Sequence, residues 1–121
     1  MVSMYDTMRK ELESTYVDTC NIAVAKKNTV NGVTRFGTAY LVQCQPCKLS
    51  YSNVKKDSKS GSAVNTEQLV KLFLPPSVDV PDGSVIEVTH MGKKLAFKRS
   101  GVPAIYRTHQ EVVVEPQERW A

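Results

Sequence analysis

The spacing of hydrophobic positions changes near Tyr16. Before it, in "MYDTMRKELES" (4–14), Tyr5, Met8 and Leu12 recur at i, i+3 and i+7, which predicts a short helix capped by Asp6 or Thr7. A helix of about three turns is marginal alone, so its apolar face is expected to dock. After Tyr16 the period is two. In "VDTCNIAVAKK", Cys20, Ile22 and Val24 alternate with Asn21, Ala23 and Ala25. Asn31-Gly32 follows, and both residue types tolerate positive φ, so a hairpin turn is expected there. The return strand runs through "TRFGTAYLVQCQPCKLSY", where Tyr40, Val42 and Cys44 alternate with Leu41 and Gln43. Pro46 cannot donate to a ladder and marks an edge, a bulge or a bend.

A long polar stretch, "SNVKKDSKSGSAVN" (52–65), interrupts this pattern before "QLVKLFLPPS" resumes it. The near-continuous apolar run in the latter predicts a strand buried on both faces, stopped by Pro75-Pro76. A further hairpin is expected from Pro81-Asp82-Gly83 through strand 84–90, a turn at Met91-Gly92-Lys93 and strand 94–99. "HQEVVVEP" predicts a last strand, and 117–121 a short tail. About five to seven strands spaced some ten residues apart make an all-β fold, a small barrel or sandwich with one terminal helix. A chain of 121 residues without an internal repeat is expected to form one domain over 1–121.

Composition narrows the classes. With 41% hydrophobic and 23% charged residues the chain is ordinary for a globular protein. No window approaches the roughly 18 uncharged apolar residues of a membrane span. "MVSMYDTMRKELEST" lacks an apolar core of the secretory type, so synthesis and assembly in a cytoplasm are expected. Sixteen Lys and Arg against twelve Asp and Glu give a mild net charge of +4, compatible with a nucleic-acid neighbour without requiring one.

Candidate chemistry is sparse. Cys44-Gln45-Pro46-Cys47 has the CxxC spacing, but a redox pair needs its first thiol at a helix N-terminus, and "KLSYSN" after it reads as strand and turn. Cys20, Cys44 and Cys47 with His90 or His109 would give four zinc ligands, without the second paired motif that makes such a site specific. The simpler reading makes Cys20 and Cys44 small core residues on paired strands. His90, His109, Glu87, Glu111 and Asp82 contain acid and base groups whose mutual geometry the sequence leaves open. No phosphate loop, nucleophile elbow or dinucleotide fingerprint is present. The expectation is a protein without catalytic residues, metal or cofactor. Lysines remain. Lys55, Lys56 and Lys59 crowd the polar stretch beside Gly61, and Lys93, Lys94, Lys98 and Arg99 form a second basic cluster. Basic loops on a β scaffold meet phosphates without reading sequence.

The second half, Gln68 to Glu115, supplies a resemblance. "LFLPP", "PDGSVIEV", "GKK", "KRSGVPAIY" and "HQEVVVE" resemble the head-closure, or stopper, proteins among the head–tail connectors and minor capsid proteins of tailed bacteriophages and prophages. The resemblance implies a β-barrel that forms a six- or twelve-fold ring with copies of itself in the virion neck. Such a ring lies below a portal or adaptor ring, holds packaged double-stranded DNA non-specifically, and docks a tail terminator or tail-completion protein; no membrane is involved. It implies further that a mobile loop, here 52–66, faces the channel with Lys55, Lys56, Lys59 and Gly61. An adaptor or tail-terminator subunit of the same neck, or a free-standing nucleic-acid-binding barrel of OB type, are the alternatives.

Overall fold

The structure, a computed structural model, describes residues 3–56 and 65–117. It opens with helix α1 (Met4–Glu13). The cap is Ser3, not Asp6 or Thr7. Ser3 keeps extended backbone angles, and its hydroxyl accepts the Asp6 N–H at 3.2 Å. Asp6 lies inside the first turn, where its charge suits the helix dipole. Among the described residues this is the one helix, and none is long and apolar enough to cross a membrane.

Seven strands follow among the described residues: β1 (Asp18–Val30), β2 (Val33–Lys56), β3 (Asn65–Leu74), β4 (Val85–His90), β5 (Lys93–Arg99), β6 (Ala104–Ile105) and β7 (Gln110–Pro116). All pairings are antiparallel, and they close on themselves in the circuit β1–β2–β3–β7–β5–β4–β1. The two-residue β6 adds to β7 beside β5. The fold is therefore all-β, as the alternation predicts. Asn31 (φ 53) and Gly32 (φ 76) make the β1–β2 turn in the left-handed conformation that matches strand twist.

The core fills the inside of this ring. Ile22, Leu72, Leu74, Ile86, Val88 and Val112 are fully buried, and Cys20, Cys47, Leu49, Val70, Phe97 and Val114 pack with them. A closed sheet has one interior, which corrects the expectation for "LVKLFL". Val70, Leu72 and Leu74 point inward, whereas Leu69, Lys71 and Phe73 are only half-buried on the outer face. Gln110, like Asp18 and Ser84, is a polar residue buried inside. Its amide donates to the Pro75 and Val78 carbonyls and so fastens the β3–β4 connection.

Strict alternation also fails in β1. Ile22 and Ala23 are both buried because the β1–β2 register shifts on each side of Ile22. Opposite them β2 bulges. Cys44 takes φ 52, and its N–H leaves the ladder to donate to Asn21 Oδ1 at 2.8 Å. The pairing passes from Ile22↔Val42 to Cys20↔Gln45, and Pro46 follows at the bend. The bulge turns Cys44 outward and brings Cys47 into the core in its place. It also lets one 24-residue strand serve two partners: its first half pairs with β1 and its second with β3.

Candidate functional site

Both ends of β2 run past the closed ring. At the first end, residues 25–38 of β1 and β2 pair only with each other and are exposed throughout. They form a two-stranded ribbon about 20 Å long at the usual rise per residue. At the other end, β2 and β3 stay paired from Ser52↔Leu69 to Lys56↔Asn65, beyond the last β3–β7 pair at Val70↔Val114. The two tips thus lie at opposite ends of β2.

The charge of the chain collects on this strand pair. Residues 19–56 hold six of the sixteen basic residues, Lys26, Lys27, Arg35, Lys48, Lys55 and Lys56, and none of the twelve acidic ones. A stretch this long without an acid could have been counted from the sequence. Its meaning needed the pairing, which places Lys26, Lys27 and Arg35 on one ribbon and carries the strand to Lys55 and Lys56 at the other end.

The expected channel loop is redrawn by this pairing. Lys55 and Lys56 belong to β2, in register with Thr66 and Asn65, so strand occupies both margins of 52–66. Lys59 and Gly61 fall at 57–64, outside the described residues. The tail at 117–121 lies outside them from 118 onward, and Gln117 donates its N–H to the Ala96 carbonyl at 2.9 Å.

The second basic cluster is not one patch. Arg99 is mostly buried; its guanidinium donates to the Val80 carbonyl at 2.9 Å and lies 3.6 Å from Asp82. Lys98 stands directly opposite Glu115 and meets it at 3.1 Å. Lys93 and Lys94 remain exposed beside the β4–β5 turn. The acids that split the cluster come from elsewhere in the chain, so the local run of charge overstates the free charge on the surface.

The CxxC pair is also divided. Cys44 is exposed, while Cys20 and Cys47 are buried in the core. Hydrogen bonding to Cys20, then burial, pushes the Cys47 thiol far above its ordinary range, the reverse of an activated thiolate. Among the described residues no three His, Cys, Asp or Glu side chains are grouped to hold a metal ion.

The two histidines go to different carboxylates. His90 Nδ1 sits 2.8 Å from Asp18 Oδ1, and Asp18 Oδ2 accepts the Leu49 N–H at 2.9 Å. Asp18 is buried, so this clamp ties β1, β2 and β4 together at the base of the ring. His109 Nε2 lies 3.0 Å from Glu111 Oε2, with Thr108 Oγ1 3.0 Å from its Nδ1. Its ring stacks on Tyr106 (centroids 4.9 Å apart) and lies against Phe73 (5.8 Å). Lys71 donates to Glu111 Oε1 at 3.2 Å. The His109 hydrogen bond, seconded by Lys71, holds the Glu111 carboxyl below its usual range against the opposing effect of burial. This cluster fastens the β6 segment to β3 and β7. The signal for it was "HQE", whose first and third residues share a strand face. Asp82 and Glu87 complete the division of the acid/base set: Asp82 faces Arg99, and the Glu87 carboxylate acts on Tyr40, raising that hydroxyl above its ordinary range.

In comparison with known proteins, no family model and no curated protein matches the chain. One solved structure, the xkdH protein of the phage-like element PBSX of Bacillus subtilis, is similar at a TM-score of 0.48 and 15% identity, covering 83% of this chain and 94% of that one. A likeness of that order does not carry function from one chain to the other.

Proposed function

We propose that the chain is a structural subunit of the head–tail connector of a tailed phage or prophage, and that it acts without catalysis, metal or cofactor. Copies assemble in the virion neck as a ring below a portal or adaptor ring. The ring holds packaged double-stranded DNA non-specifically and docks a tail terminator or tail-completion protein. The observation that carries this reading is the acid-free stretch 19–56, laid along two ribbons at opposite ends of a closed sheet. The resemblance of the segment 68–115 to head-closure proteins supports the same assignment. Ring symmetry repeats each ribbon many times, so a few lysines per subunit become a collar that meets phosphates without reading bases. Lys55 and Lys56, with Lys59 and Gly61 beyond them, are the residues assigned to the DNA side.

The same charge suits a second reading, a free-standing nucleic-acid-binding barrel. That protein would be monomeric and bind duplex DNA with a steep salt dependence. Deleting the gene from the genome that carries it tests the first reading. Heads that fill but leak DNA and stay tailless are expected; filled, tailed particles contradict it.

A further inference from the structure

Among the exposed apolar residues described, two groups lie on elements that stand clear of the chain's own body. The β1–β2 ribbon has water on both faces, and an isolated two-stranded ribbon is marginal in water. Val30, Val33 and Phe36 on it are 60%, 55% and 76% exposed. Paired residues share a face, so Val30 and Val33 lie with Arg35 and Lys26 on one side, and Phe36 lies with Lys27 on the other. The second surface is α1. No residue of it is buried, and Met4, Tyr5, Met8 and Leu12 keep its apolar stripe open. It meets the body where the Arg107 guanidinium lies 4.7 Å over the Tyr5 ring.

These surfaces complement each other. The ribbon carries three cations and no acid, whereas α1 carries Asp6, Glu11 and Glu13 against Arg9 and Lys10. Glu11 borders the apolar stripe at the helical spacing of about 100° per residue. Within one chain the helix cannot reach the ribbon tip. Helix α1 enters β1 at Asp18 and the ribbon tip leaves it at Val30, about 40 Å further along an extended strand. Ten helical residues span about 15 Å, and the four residues 14–17 add at most about 14 Å.

We infer that the β1–β2 ribbon of one copy seats on the α1 helix of the next. The contact uses the face that carries Val30, Val33, Lys26 and Arg35: Val30 and Val33 cover the Tyr5–Met8–Leu12 stripe, and Lys26 and Arg35 meet Glu11 and Glu13. The contact is heterologous, joining two different patches, and so it builds rings or filaments rather than closed pairs. It rests on the self-assembling part of the proposed function and names the surfaces that perform it.

Sedimentation velocity of the full chain tests it with two double variants, Val30→Ser with Val33→Ser on the ribbon and Met8→Ser with Leu12→Ser on the helix. All four positions are exposed, so each variant should keep the native thermal transition. The wild type is expected to assemble and each variant to remain monomeric, with association at least tenfold weaker. A one-to-one mixture of the two should stop at dimers, because each retains the patch that the other lacks. Charge reversal gives an independent arm. Lys26→Glu with Arg35→Glu should lose assembly and regain it when combined with Glu11→Lys and Glu13→Lys. Variants that assemble like the wild type overturn the inference and leave the connector reading standing. A ribbon variant that assembles but loses binding to duplex DNA overturns it also, by making the ribbon a nucleic-acid arm. A wild type that stays monomeric sinks the ring reading and this inference together.

Discussion

Strand β1 lives in two environments. From Asp18 to Ala23 it is held by β2 on one side and β4 on the other, and Cys20, Ile22 and Ala23 are buried. From Ala25 to Val30 it keeps the same partner β2, now in unbroken register, and every residue is exposed. Val24 is half-buried and Val30 is exposed, though the two side chains are identical. Burial in this chain is decided by closure of the ring, not by residue type. Where β4 ends, the inside of the sheet ends, and the strand continues as an arm whose apolar groups require some other cover.

Mutation should separate the two environments sharply. Leu72→Ala, inside the ring at 0% exposed, should lower unfolding free energy by about 2–5 kcal/mol through lost burial and a cavity. Phe36→Ala on the ribbon should fall within about 0.5 kcal/mol of wild type in the monomer. Denaturant titration measures both, and equal losses would erase the distinction between body and arm. At the end of β1 away from the arm, Asp18→Ala leaves the Leu49 N–H without its acceptor and His90 without its carboxylate, and should cost about 2–3 kcal/mol.

The Glu111 clamp sharpens the comparison through pH. Its carboxyl lies lower in the folded chain than its unfolded value of 4.5, so its stabilising contribution is full above pH 4.5 and is lost as pH falls through the lower folded value. Glu111→Gln should therefore be less stable than wild type at neutral pH, with the gap closing in acid. A gap that stays constant down to strongly acidic pH would show that the ionised carboxylate contributes nothing. The smallest effect concerns the cysteines. Native protein should take up one maleimide at Cys44, with Cys20 and Cys47 reacting only on unfolding. Mass spectrometry of labelled peptides reads this, and early labelling of Cys47 would mean that the core opens readily.

Local chemistry carried most of the strand pattern into the sequence. Asn31-Gly32 and Pro81-Asp82-Gly83 encode their turns directly, because few other residues accept those backbone angles. The helix was legible from Tyr5, Met8 and Leu12, but its failure to dock was not, since amphipathicity does not say which surface answers it. The positive φ at Cys44 was hidden, because nothing about a cysteine announces a bulge, and that one residue moved the buried thiol from 44 to 47. Lys98 and Arg99 stand in the sequence as part of a basic cluster, and their partners Glu115 and Asp82 do not show there because the fold brings them together. Lys55 and Lys56 were visible as a basic pair, while their place within β2 depended on a register that extends to Asn65.

Hydrogen–deuterium exchange on the wild-type chain, dilute and concentrated, tests most directly whether the arm is made to be covered by another copy. Amides of 20–23 should be protected in both conditions. Amides of 25–38 should exchange rapidly in the dilute monomer and become protected, together with α1, as copies assemble. Assembly that leaves both 25–38 and α1 as fast as in the monomer would contradict the account.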